Sequence, residues 1–283
     1  AAAFVILFVA VGGMMAVAHT DLPNGIIIIL ASCLALPFVV LAAGGWSHIH
    51  QVLPAGHFEV FSPDFGRFPA LKGFSYFLST LLLLMGVQSM YQKFYAARSP
   101  QDAKRAVAIW IVGTIVVETI VIAIAVFAGS YNMEHGTNWD PRSLVLNAAR
   151  HMVPVPVGVL LLGAACAVVL STGMYYLLSS SSNVMRDIYQ RIIKPDFDPN
   201  KMVALQKIFV VVMGVCAFLM IFIPTALKLQ ISVLQYAYFA YTLYGVAVTP
   251  ALFAALTWKR ATRAGGLASI VGGTLATIFF EIV

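Results

Sequence analysis

Charged residues are scarce in this chain. Asp, Glu, Lys and Arg make up 10% of its 283 residues, whereas a soluble domain contains about 25%. Hydrophobic residues make up 61%, above the about 45–50% of soluble domains. These two values exclude a soluble globular domain. They predict an integral membrane protein, essentially all-α, because a helix satisfies its own backbone hydrogen bonds in lipid.

Cysteine is scarce too, and the chain lacks the clusters typical of transition-metal sites. The three cysteines, Cys33, Cys166 and Cys216, lie in three different apolar runs, which excludes a disulfide framework. We interpret them as small apolar residues that fill space between helices. Three histidines lie close together in the segment GGWSHIHQVLPAGH, namely His48, His50 and His57. A zinc site there is the less favoured interpretation, because no cysteine accompanies them and Gly and Pro interrupt any rigid platform.

Eight apolar runs account for most of the sequence. They cover residues 1–12, 14–43, 70–92, 106–129, 154–185, 203–224, 231–257 and 264–283. Each of them except the first is long enough to cross a hydrocarbon layer of about 30 Å as a helix. We therefore predict seven membrane spans and one partial span.

The basic residues lie in short loops between these runs, so the net charge of +6 indicates topology and no nucleic-acid partner. Three loops hold most of them: Lys93, Arg98, Lys104 and Arg105; Arg186, Arg191, Lys194, Lys201 and Lys207; and Lys259, Arg260 and Arg263. By the positive-inside rule these loops are cytoplasmic in the cell membrane. The alternate loops at 44–69, 130–153 and 225–230 are predicted to face outward. In the second of them, Asp140 before Pro141 predicts the start of a short helix.

A run of hydroxyls interrupts the apolar segment at 154–185. It comprises Ser171, Thr172, Ser179, Ser180, Ser181 and Ser182. Hydrocarbon does not solvate hydroxyls, so they must bind neighbouring helices, their own backbone or an ion. For Ser179 to Ser182 we favour helix packing, to which small polar residues contribute in membranes.

Other polar residues lie at membrane depth. For Asp21 the sequence leaves three interpretations open: the carboxylate caps its helix, extends to the membrane–water interface, or takes part in function. Glu118 lies deep within a span, where a carboxylate is a functional candidate or is protonated and hydrogen-bonded to a neighbour. Gly86 and Gln88 interrupt an apolar run, and an unwound helix there would expose carbonyls toward a solute cavity.

Four segments together resemble the sodium:solute symporter family, which includes sodium/proline, sodium/glucose and sodium/sialic-acid symporters. In chain order they are GGMMAVAHTD, MYQKFYAARSPQDAKRAV, LSTGMYYLLSSSSNVMRDIYQRII and PALFAALTWKRATRAGGLASIVGG. The resemblance extends over essentially the whole chain, and the segments occur in the order that the family has.

This resemblance implies an inverted-repeat bundle of the leucine-transporter type, in which solute and ions bind midway across the membrane. On that map residues 1–43 end the first repeat with core helices four and five, and 44–69 form an extracellular loop. Residues 70–257 form the second repeat, core helices six to ten, and 264–283 an additional transmembrane helix. The chain begins within core helix four without an initiating Met, so we expect helices one to three upstream.

The resemblance also implies a sodium site. Ser171 and Thr172 correspond to its hydroxyl ligands, with the backbone carbonyl of Val168, and the remaining ligands are expected from the first helix. Asp21 corresponds to an aspartate that serves a second sodium site in some members. The accompanying hydroxyl positions are Met174 and Tyr175 here. We therefore expect one sodium per cycle, with Asp21 acting in gating or in ion exit.

The expected function is sodium-coupled symport of a small organic solute by alternating access, without covalent chemistry. The predicted cavity is lined by Gly86, Gln88, Glu118, Phe239 and Tyr241, although aromatic residues of that segment are also typical of packing and interfacial anchors. An alternative is a symporter-like solute-sensing domain of a signalling protein. A membrane enzyme is not favoured, because its candidate residues come from opposite sides of the membrane. The sequence identifies neither the solute nor the oligomeric state.

Overall fold

The computed structural model describes residues 2–60, 62, 66–195, 198–227 and 233–282, and every regular element in these ranges is helical. The α-helices are α1 (Ala2–Ala42), α2 (Trp46–Val52), α3 (Pro69–Gly86), α4 (Gln88–Tyr95), α5 (Pro100–His135), α6 (Leu144–His151), α7 (Val155–Asn183), α8 (Pro199–Ala226), α9 (Val233–Leu243), α10 (Thr249–Thr257) and α11 (Arg263–Ile282). Short 3₁₀ helices cover Ala55–Phe58 and Pro141–Ser143. π-helical segments cover Val184–Ile193 and Tyr244–Val248.

Seven helices among the described residues are long and apolar enough to cross a membrane, as predicted. They cover Ala16–Ala42, Pro69–Gly86, Pro100–His135, Val155–Ile193, Lys201–Pro224, Tyr236–Thr257 and Arg263–Phe280, with a shorter apolar helix at Ala2–Gly13. Only 6% to 22% of the residues in their most apolar windows are buried, so most of their apolar surface faces outward, as in contact with lipid. The chain is therefore a multi-pass membrane protein. The predicted loops at 44–69 and 225–230 include residues outside the described ranges.

The described residues divide into two units, one within 1–57 and 98–219 and the other within 58–97 and 220–283. In the first unit α1 makes its most extensive contact with α7. Their interface is an apolar core that contains Val9, Val17, Met174 and Leu178. Gly13 interrupts α1 with φ +57° and ψ −157°, a conformation essentially restricted to glycine. The interruption coincides with the predicted boundary between the runs 1–12 and 14–43.

The two ends of α5 are capped by local chemistry. At the first turn, the Ser99 hydroxyl oxygen accepts a hydrogen bond from the backbone N–H of Asp102 at 3.1 Å, and at the last turn Gly136 has the left-handed conformation, as at many helix ends. Its 36 residues span about 54 Å. The side chain of Asp140 accepts a hydrogen bond from the N–H of Arg142 at 2.9 Å, which confirms the predicted cap before the short helix.

The second unit contains α3, α4, α9, α10 and α11. Its α3 ends at Gly86, one residue has extended backbone at Val87, and α4 begins at Gln88. The sequence predicts one run over 70–92 with an interruption at this point, and the interruption is confirmed. The inverted repeat and its boundaries at 43, 69, 257 and 264 stay predictions. The two units described above are a different division of the chain.

The three cysteines are free thiols on α1, α7 and α8, and all three are exposed. They therefore lie on the surfaces of the helices and do not fill interior space, contrary to the interpretation from sequence.

Candidate functional site

The predicted ion ligands lie on neighbouring turns of α7. Val168, Ser171 and Thr172 have the spacing i, i+3 and i+4, which places them on one side of a helix. The Ser171 hydroxyl donates a hydrogen bond to the Val168 carbonyl oxygen at 3.2 Å. Since a hydroxyl has one hydrogen and two lone pairs, this bond leaves oxygen lone pairs on both groups that can face a cation.

This side of α7 is open in the part of the chain that the structure describes. Val168 is 46% exposed, Thr172 is exposed and Ser171 is half-buried. The packing side of α7 is formed by other residues, among them Ala164, Ala167, Met174 and Leu178. Ser171 and Thr172 are thus not buried against carbon, which is one of the arrangements that would exclude an ion.

Asp21 has a partner across the helix pair. The Tyr175 hydroxyl, on α7, forms a hydrogen bond with the Asp21 carboxylate, on α1. The preceding residue, Met174, is 3% exposed and lies in the apolar core. At the two positions that the resemblance pairs with hydroxyl ligands in some members of the family, this chain therefore has a core side chain and a phenol already bound to the carboxylate.

Three of the four serines further along α7 take part in packing, as predicted, whereas Ser180 is exposed. Ser181 is fully buried, and its hydroxyl donates to the Leu178 carbonyl at 3.0 Å. Ser182 accepts a hydrogen bond from the Gln206 side-chain amide of α8 at 3.0 Å. Ser179 is also buried. These contacts account for the hydroxyls of Ser181 and Ser182 without an ion.

In the second unit, the broken helix carries the predicted cavity residues Gly86 and Gln88. The Val87 N–H still bonds the Leu83 carbonyl at 2.8 Å, so α3 closes its last turn there. The Tyr91 hydroxyl donates to the Met85 carbonyl at 2.7 Å. A helix end leaves carbonyls without helical partners, and Tyr91 satisfies one of these at the break.

An open groove of about 350 Å³ lies on the same unit, lined by Tyr76, Phe77, Thr80, Leu81, Leu84 and Tyr238. The rings of Tyr76 and Tyr238 stack with centroids 4.3 Å apart, and Tyr241 packs against Tyr238 at 5.6 Å. None of the predicted cavity residues lines this groove. Phe239 and Tyr241 are both half-buried on α9.

The remaining candidates belong to the first unit. Glu118 is exposed on α5. The His48 Nε2 atom lies 3.0 Å from both carboxylate oxygens of Glu134, and the His50 ring packs edge-on against Trp46. Among the described residues, no three His, Cys, Asp or Glu side chains lie close enough to hold a metal ion.

Comparison with known proteins decides the family. The model of the sodium:solute symporter family matches residues 1–273. This chain belongs to the sodium:solute symporter family. The resemblance seen in the four sequence segments is confirmed.

Relatives of this symporter-family chain include two proteins named sodium/proline symporter. The one from Escherichia coli (strain K12) is 25% identical over 99% of this chain, and the one from Haemophilus influenzae is 29% identical over 98% of it. A protein of Bacillus subtilis named osmoregulated proline transporter is 25% identical over 98% of the chain. In each case the match covers 55% of the relative, so the chain spans about half the length of these relatives.

Sequence reasoning missed two features of these sites. The bond from Tyr175 to Asp21 joins residues 154 positions apart, and only the packing of α1 on α7 brings them together. The contact of Tyr76 with Tyr238 likewise depends on the pairing of α3 with α9. The density of tyrosines in the segment QYAYFAYTLYG is the one signal that could have indicated the second feature.

Proposed function

We propose that this chain forms part of a secondary active transporter in which inward sodium flow drives uptake of a small organic solute by alternating access. The observation that carries the proposal is the group of oxygens on one side of α7, with the Ser171 hydroxyl bonded to the Val168 carbonyl at 3.2 Å. Membership in the symporter family supports it.

The chemistry of this group suits sodium. A hard cation prefers oxygen ligands, and hydroxyls and carbonyls supply them without a fixed negative charge at membrane depth, where charges are expensive. In this proposal Val168, Ser171 and Thr172 supply three of the ligands. Sodium takes about five or six oxygens, so this set is one side of a larger site. Sodium that binds one conformation better than the other shifts the equilibrium toward it.

We propose that one sodium ion moves per cycle. A second ion at Asp21 would have to displace the Tyr175 hydroxyl, which the carboxylate already binds. Met174 supplies no oxygen ligand for such an ion, because its side chain is a thioether and is buried in the apolar core. The Asp21–Tyr175 pair is better suited to holding α1 and α7 together during part of the cycle, which is a gating role.

For the solute, we propose a cavity that includes the break at Val87 with Gly86 and Gln88. The backbone leaves the helix there, and Gln88 offers both a donor and an acceptor. Contributions from Phe239 and Tyr241, which lie in the same unit, remain part of this proposal, and a contribution from Glu118 stays a prediction from the sequence. Proline is the first solute to test, because the relatives carry it in their names.

We also propose that the three basic loops face the cytoplasm. Their charge excess over the alternate loops supports this through the positive-inside rule. Sodium and solute would then enter from the side of α6 and leave from the side of the basic loops.

The experiment that tests the function is sodium uptake in proteoliposomes. The natural full-length protein carrying this chain is reconstituted, and uptake of radiolabelled sodium is measured with and without external proline, then with other amino acids, sugars and small carboxylates. Coupling predicts that one of these solutes stimulates sodium uptake, and that sodium in turn stimulates uptake of the same solute. Solute uptake that is equal in sodium and choline buffers would contradict the proposal.

A further inference from the structure

The π-helical segment Tyr244–Val248 packs closely against two other helices of the second unit, α3 and α11. A Cβ added at Gly245 would lie 2.9 Å from the Leu82 Cβ of α3. A Cβ added at Gly273, on α11, would lie 2.7 Å from the Val246 carbonyl oxygen. Both glycines are therefore needed for α3 and α11 to approach the segment this closely.

The residue that follows this segment, Thr249, reaches across to the broken helix. It is 3% exposed, and its hydroxyl donates to the Leu82 carbonyl at 2.7 Å, with the Tyr244 carbonyl also within 3.3 Å. Gly86, the last residue of α3, lies against the same hydroxyl so closely that a Cβ there would collide with Oγ1. The Thr249 side chain thus contacts α3 at two places, at Leu82 and at Gly86, which is the last residue of that helix.

This position matters because α3 stops immediately afterwards. Val87 has extended backbone, and α4 starts at Gln88. A helix broken in this way is free to bend unless something outside it fixes the last turn. The hydroxyl of Thr249, bonded to Leu82 and seated on Gly86, is a contact that fixes that turn.

We propose that Thr249 is a positioning residue for solute binding: it ties the last turn of α3 to the π-helical segment, so that the break at Val87 and the side chain of Gln88 keep a fixed place. The link to solute binding rests on the proposed function, whereas the tie itself does not. The solute affinity then depends on a hydroxyl that need not touch the solute.

The first test measures the tie without any solute. Amide hydrogen exchange is followed by mass spectrometry on the full-length protein in lipid nanodiscs, in peptides covering residues 82–91. Thr249→Val keeps the shape of the side chain and removes its hydroxyl, so exchange at the break should accelerate about tenfold, which is the effect of one hydrogen bond worth about 1.4 kcal/mol. Thr249→Ser keeps the hydroxyl and should restore slow exchange. Unchanged exchange in Thr249→Val would overturn the proposal.

Thr277→Val is the matched control. Thr277 is also buried, at 4% exposed, but its hydroxyl donates to the Gly273 carbonyl of its own helix at 2.9 Å. Its loss should leave exchange at 82–91 unchanged. If Thr277→Val accelerates that exchange as much as Thr249→Val does, the effect is general loosening of the unit and the proposal is wrong.

The second test separates affinity from turnover with radiolabelled proline. Thr249→Val should raise the half-saturating proline concentration about tenfold and change the maximal rate per folded protein less than twofold, and Thr249→Ser should behave like the wild type. A fall in maximal rate alone would assign Thr249 a merely structural role and overturn the link to solute binding. If the wild type transports no proline and no other solute with sodium, the proposed function fails, and the exchange measurement decides the tie by itself.

Discussion

At the scale of single residues, the proposal of a single sodium site rests on the pair of Asp21 and Tyr175. A carboxylate at membrane depth is costly unless it is paired or binds an ion. Here the phenol hydroxyl of Tyr175 is that partner, because it forms a hydrogen bond with the carboxylate. A bound ion would have to take its place. In the proposed mechanism this carboxylate therefore acts as a contact between α1 and α7 and not as an ion ligand.

Removal of this bond should slow the cycle without changing sodium affinity. Tyr175→Phe and Asp21→Asn should each lower the maximal transport rate at least about tenfold, because a hydrogen bond to a charged group contributes about 1.5–3 kcal/mol and about 1.4 kcal/mol corresponds to a factor of ten. The half-saturating sodium concentration should stay the same, since Ser171 and Thr172 are intact. The measurement is sodium-dependent solute uptake by each variant, normalised to the amount of protein.

The double variant tests whether the two residues act as a pair. If they do, Tyr175→Phe combined with Asp21→Asn should be no slower than either single variant. Tyr95→Phe is the control, because Tyr95 is 79% exposed at the end of α4. Multiplying effects in the double variant, or a Hill coefficient for sodium near two in the wild type, would contradict the single-sodium interpretation.

At the scale of elements, the helices that are not straight are the ones that matter for the proposed mechanism. The kink at Gly13 divides α1, the break at Val87 separates α3 from α4, and π-helical turns lie at the ends of α7 and α9. Irregular backbone at membrane depth is tolerated where protein or a cavity surrounds it. Such positions are also where a bundle can bend.

The kink in α1 should depend on glycine. Gly13→Ala places a Cβ at φ +57° and ψ −157°, a conformation that costs about 1–3 kcal/mol for other residues. We expect this variant to lower the thermal unfolding midpoint of the detergent-solubilised protein by several degrees. Gly25→Ala, on the same helix with nothing within 4 Å of the added Cβ, should be neutral or slightly stabilising. Equal midpoints for the two variants would mean that the kink carries no glycine requirement.

The sequence predicts these elements unevenly, for physical reasons. The spans follow from apolar runs, and the kink at Gly13 and the break at Val87 follow from Gly residues and Gln88 within those runs. The π-helical segment Tyr244–Val248 leaves no such signal, because it is as apolar as its neighbours. Thr249 also escapes sequence reasoning, because its partner Leu82 is 167 residues away. In contrast, Ser171 and Val168 are one turn apart, and a helical period suffices to bring them together.

At the scale of the whole molecule, family membership and the seven spans agree on a multi-pass membrane protein. Coupling is a property of this scale, because it requires that sodium and solute favour the same conformation. The predicted ion ligands lie in the first unit, and Gly86 and Gln88 lie in the second. A solute-sensing domain would bind the same ligands without net movement of sodium, and solute-driven sodium uptake distinguishes the two functions.

The most direct test of the sodium site is the sodium activation curve of variants on α7. Ser171→Ala and Thr172→Ala are compared with the wild type and with Ser180→Ala, an exposed hydroxyl on the same helix, and folding is checked by size-exclusion chromatography. The loss of one oxygen ligand should raise the half-saturating sodium concentration at least about tenfold, or about 1.4 kcal/mol, in the first two variants and leave it unchanged in the third. Activation curves that coincide with that of the wild type for both Ser171→Ala and Thr172→Ala would contradict the account.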